Sequence, residues 1–167
     1  YLKMINHLMK NIQKITDFFG KFASNFIIIL IILVSTSVLL RYVFAIGFTW
    51  LQDLYIWIHA LFILLGIAYT LNKDGHVRID ILYRKFNNKK KRIVNLFGSI
   101  VFGIPFCLII IFKGYEFFLR SFTLNENSKE SGGLPNLFIL KFFIFFMGLL
   151  LFCELLNRIL SFFKKND

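Results

Sequence analysis

The sequence predicts an all-α integral membrane protein: four transmembrane helices, both termini cytoplasmic, and interfacial amphipathic segments. Three observations predict it. Of the 167 residues, 57% are hydrophobic and 19% aromatic, with a mean hydropathy of +0.69, more apolar than a soluble domain of this size needs to fill its core. Four apolar stretches, about 22–40, 50–71, 93–112 and 137–163, are each long enough for a hydrocarbon core of about 30 Å, which takes roughly 20 helical residues. Fifteen Lys and Arg fall on the side of the termini and the 71–93 connection, against four in the two opposite loops, a positive-inside bias that orients the chain.

Residues 1–21 form the first element. Ile5, Leu8, Ile12, Ile15 and Phe19 recur at three- and four-residue steps while Lys3, Lys10, Lys14 and Lys21 avoid that stripe, as in an amphipathic helix on the inner leaflet. The transmembrane domain is expected over 22–163, with 164–167 a short cytoplasmic tail. Its first stretch is too long for a signal-peptide core and no small-residue cleavage site follows, so it is read as a retained anchor. After Gly75 the run HVRIDILYRKF mixes apolar and charged positions and reads as interfacial or as a plain cytoplasmic connection. The loop TLNENSKESGGLPNL is the long polar stretch outside; Gly132 and Gly133 permit a sharp turn, and Pro135 suits the first turn of the last helix. The formal net charge of +11 is met by anionic lipid at the cytoplasmic surface and calls for no nucleic acid.

The polar residues do not assemble into catalytic chemistry. Cys107 and Cys153 are predicted at different depths and form no C-x-x-C pair, which argues against a thiol oxidase. His59 is the single intramembrane histidine, so a bis-histidine haem or a zinc site lacks partners, and no cofactor is expected. Asp53 and Lys141 lie about one turn from the external ends of their helices, within reach of the headgroups, and Glu154 stands one turn before Arg158, which permits an i, i+4 pair. That leaves His59 as the deep polar group, and one imidazole makes no relay. Gln52, His59, Gly66 and Thr70 fall within about 40° on helix 2 at 100° per residue, a stripe of polar and small groups of the kind by which helices associate in lipid. Periodicity leaves open whether that stripe meets another helix of this chain or another subunit. A free-standing small oligomeric transporter or channel using His59 is the alternative function.

Arg41-Tyr42 after the first helix, Trp50 with an acid at Asp53, the run LLGIAYTLNKDGHVRID and GGLP before the last helix together resemble the small membrane subunit (DctQ type) of TRAP (tripartite ATP-independent periplasmic) transporters. The resemblance covers about Phe26 to Phe163, with HVRID its most specific element. Many members carry two adjacent acids after the tryptophan where this chain has Gln52-Asp53, which is similar to the branch associated with mannitol or chloroaromatic compounds. The resemblance implies no enzyme. It implies a multi-pass protein of the bacterial inner membrane, partnered by a large sodium-coupled elevator-type subunit (DctM type) and an extracytoplasmic substrate-binding protein (DctP type) that captures an organic acid or similar solute. Architectural roles then fall to Arg41 and Trp50 at the external interface and to Asp53 and His59 as contacts from helix 2. His76, Arg78 and Asp80 would organise the cytoplasmic turn.

Overall fold

The computed structural model describes residues 2–75, 83 and 86–164, with the side chains of 6–75, 83 and 86–163. Helix α1 (Leu2–Val43) is one unbroken rod of 42 residues, about 63 Å long at 1.5 Å per residue. It runs through the boundary expected near residue 22, because no proline interrupts it and its one glycine, Gly20, stays helical. Ala45, at φ 56°, turns the chain, and the Ile46 N–H reaches back to the Leu40 carbonyl at 3.0 Å. Helix α2 (Thr49–Asn72) follows at once and lies antiparallel on α1.

In the apolar half of α1, Phe26, Leu30, Leu33, Ser37 and Leu40 are half-buried and the positions between them are exposed. That alternation of four- and three-residue steps is the narrow seam of a two-helix contact. The other half of α1 is gripped more deeply: Thr16 and Ala23 are 2% and 1% exposed.

Helix α3 extends over Asn88–Thr123, longer at both ends than its apolar run of 93–112. Asn87 caps it, its side chain accepting from the Lys90 N–H at 2.9 Å. One π turn, Ser99–Gly103, interrupts it. The reason is Pro105, which has no N–H and whose ring would strike the carbonyl four residues back; the wider turn, closed by the Ile104 N–H on the Ser99 carbonyl, takes up that conflict.

Helix α4 (Phe138–Lys164) is the centre of the fold. It packs on α2 and α3 and touches the first half of α1, whereas among the described helices α3 packs chiefly on α4. One core cluster joins Ala23, Leu65, Ala68 and Leu150 of α1, α2 and α4, lined by phenylalanines such as Phe19, Phe143 and Phe146. The second joins Cys107 of α3 to Met147, Leu151 and Leu155 of α4. The helices therefore stand side by side in the order α1, α2, α4, α3, and their outward surfaces remain apolar and exposed, from Ile28 and Ile32 on α1 to Ile109 and Phe112 on α3. In water that surface would drive aggregation; in a bilayer it needs no cover beyond lipid or another membrane protein.

Candidate functional site

The helices alternate in direction, so the chain has two ends. The loop end carries the α1–α2 turn and residues 124–137; the terminal end carries the start of α1, the end of α4 and the α2–α3 connection. Each end is closed by polar contacts between helices distant in sequence.

At the loop end Asp53 is committed inside the chain. Its Oδ2 accepts the Leu134 N–H at 2.9 Å, and a Cβ on Gly133 would overlap that oxygen and Ser128, so the chain approaches Asp53 only because residue 133 has no side chain. Gly132, at φ 76°, makes the turn expected of it. Pro135 lies ahead of the first turn of α4 rather than in it, and Asn136, at φ 62°, carries the chain into the helix. The loop is held internally as well: Ser128 N–H to the Leu134 carbonyl at 3.0 Å, Leu137 N–H to the Glu126 carbonyl at 2.8 Å, and Asn136 N–H to Asn127 Oδ1 at 3.1 Å.

Lys141 completes this lock. It is 8% exposed, ion-paired with Glu126, with its ammonium 3.9 Å from the centroid of the Phe117 ring. The Lys141 ammonium holds the Glu126 carboxyl below the usual carboxylate range. Sequence reading puts Lys141 within reach of the headgroups. The available signal was that α4 offers no acid within one turn of it, so the cation must find a partner elsewhere.

Arg41 is exposed and shares a cleft of about 220 Å³ with Ser37, Gln52 and Tyr55 at the same end. Trp50 is 46% exposed, its ring 5.9 Å from that of Phe48.

At the terminal end the i, i+4 pairing permitted to Glu154 and Arg158 gives way to other partners, on α1, on the residues after α2, and at i+3 on α4 itself. Glu154, 5% exposed, accepts from Thr16 Oγ1 and from Asn157 Nδ2, each at 3.3 Å; Arg158 pairs with Asp74. Lys73 bridges to Asp17 at 3.0 Å. These contacts tie α1, α2 and α4 together, and neither the period of a helix nor residue spacing announces them. His76, Arg78 and Asp80 lie outside the described residues.

The helix 2 stripe lies elsewhere again. Gln52, Ile56, His59 and Ile63 are exposed, and a Cβ on Gly66 would meet nothing within 4 Å. The buried face of α2, with Leu51, Leu65 and Ala68, points the other way. Thr70 spends its hydroxyl on its own helix, donating to the Gly66 carbonyl at 2.9 Å. The question left open by periodicity has a divided answer for the chain alone: its own helices leave Gln52 and His59 exposed, while Gly66 and Thr70 are half-buried. Among the described residues, no group of three or more His, Cys, Asp or Glu is placed to hold a metal ion.

Neither curated proteins nor solved structures yield a match to this chain. A family pattern does, over residues 30–165, which takes in the α2 stripe, the loop-end lock, the last part of α1 and the other three spanning helices entire. Its description reads "Tripartite ATP-independent periplasmic transporters, DctQ component", and the chain belongs to that DctQ family.

Proposed function

We propose that this chain is the stationary scaffold of a sodium-coupled TRAP transporter of the bacterial inner membrane, with both termini cytoplasmic. Its partners are then a large elevator-type subunit of the DctM type and a soluble DctP-type binding protein, and the cargo is an organic acid or similar small solute. The family supports the transporter; the observation that supports the scaffold role is the stripe on α2. His59 is exposed midway along α2, and Gln52, exposed near its start, lines a cleft with Ser37 and Arg41 of α1. An imidazole left against lipid is costly, and Gly66 on the same side of α2 allows a second backbone to come close. A protein surface relieves that cost.

The slab-like order of the helices suits the same role. A mobile transport domain needs a fixed neighbour, and four helices side by side widen the stationary part and anchor it in the bilayer. The polar contacts that close each end make the slab rigid without using the stripe. His59 at the periphery, rather than facing a space enclosed by the helices, also disfavours a conduction path through this chain.

The test is co-purification with the large subunit, followed by reconstitution. His59→Phe should reduce recovery of the complex while leaving the isolated chain folded. Solute uptake should require both membrane subunits. Wild-type recovery with His59→Phe, or uptake by the small chain alone, would overturn the proposal.

A further inference from the structure

At the terminal end, the start of α3 and the end of α4 enclose a cavity of about 370 Å³ whose lining includes Arg92, Arg158, Asp74, Asn95, Leu96 and Phe162. Arg92 is held in place: its Nη2 donates to the Phe162 carbonyl at 2.8 Å, and the guanidinium lies 5.0 Å from the centroid of the Phe162 ring. A guanidinium has five N–H donors, so fixing one leaves a rigid fork for something else. Arg158, across the cavity, pairs with Asp74. Two cations thus line a space with one carboxylate, and Lys89, Lys90 and Lys91 immediately precede Arg92.

The rest of the lining is of a different kind. Leu96 and Phe162 supply an apolar wall, and Ile93 and Phe97, 49% and 60% exposed, continue an apolar surface along α3. Charge at one side and hydrocarbon at the other describes a site for an amphiphile, and its place at the start of an apolar run puts it at the depth of lipid headgroups. Phosphate oxygens match the guanidinium fork. The geometry points to a bound anionic phospholipid, its phosphate between Arg92 and Arg158 and its chains along the apolar side of α3. Such a lipid would brace α3, which among the described helices packs chiefly on α4.

Native mass spectrometry of the purified full chain tests this, with dioleoylphosphatidylglycerol, dioleoylphosphatidylcholine and inorganic phosphate as probes. Phosphatidylglycerol should be retained in preference to phosphatidylcholine, and Arg92→Gln should weaken its binding roughly ten- to a hundredfold, the effect of losing a hydrogen bond between charged groups. Lys90→Gln removes the same charge from an exposed position outside the cavity and should leave occupancy near wild type. Equal losses in the two variants, equal retention of the two lipids, or displacement of phosphatidylglycerol by inorganic phosphate would each overturn the proposal; the last would identify a soluble anion as the ligand. Should Arg92→Gln fail to fold, Arg92→Lys keeps the charge and loses the planar fork, and wild-type retention in that variant overturns it equally.

Discussion

Replacing Gly66 by leucine separates a contact inside this chain from a contact with another. Within the chain the first added atom meets open space, since nothing lies within 4 Å of a Cβ built at Gly66. It also replaces the least favourable common helix residue after proline, so the isolated chain should gain about 0.5–1 kcal/mol. Against a close-packed partner the same side chain is an intrusion costing about 1–3 kcal/mol. At about 1.4 kcal/mol per factor of ten, that weakens association roughly 5- to 150-fold. The measurement is paired: thermal unfolding of the isolated chain in lipid nanodiscs, and dissociation of the labelled chain from the large subunit. The expected result is a midpoint equal to or above wild type together with a clear loss of association. A lowered midpoint would mean that Gly66 is packed within its own chain, and unchanged association would mean that the stripe is not the contact. Gly20→Ala is the internal contrast, since its Cβ would overlap the Tyr69 ring and should lower the midpoint without addressing the partner.

Asp53→Ala removes the acceptor of the Leu134 N–H and should cost about 1.5–3 kcal/mol, seen as faster proteolysis within residues 124–137. Gly133→Ala should open the same loop by steric overlap with Asp53 and Ser128, and, since both act on one contact, the double variant should lose less than the sum of the two. The Glu126 carboxyl is held low by Lys141, and for a group whose folded pKa is depressed the stabilisation is present above its unfolded value, about 4.3, and disappears as pH falls through the folded one. Amide exchange in the loop should therefore be constant in its protection from neutral pH down to about 5 and lose protection below about 4.3; Glu126→Gln should remove that pH dependence, and an identical profile in the variant would refute the assignment.

Much of this architecture was legible in the sequence because a bilayer imposes a simple rule: a spanning backbone must satisfy its own hydrogen bonds, so about 20 apolar residues make a helix. The four apolar runs became four helices for that reason, and of the α2 stripe, computed from a 100° step alone, Gln52 and His59 are exposed while Gly66 and Thr70 are half-buried. Helix ends were less legible. Hydropathy marks where charge begins, not where helix stops, so α3 continues through Lys113 and Arg120 to Thr123, and α1 passes without a break from its basic half into its apolar half.

What the sequence by itself determined was therefore local and periodic: helix number, the greasy lengths, and a stripe of polar and small groups along α2. Only the tertiary structure decided which distant residues complete one another. Lys141 with Glu126, Asp53 with the Leu134 amide, Arg158 with Asp74 and Glu154 with Thr16 all join segments brought together by packing. A lone charge in an apolar helix announces that it needs a partner but carries no information about direction, because that is set by how the helices stack. For the same reason Asp53 and His59, six residues apart on one helix, part company: about 600° of rotation turns one carboxylate toward the loop and one imidazole away from the chain.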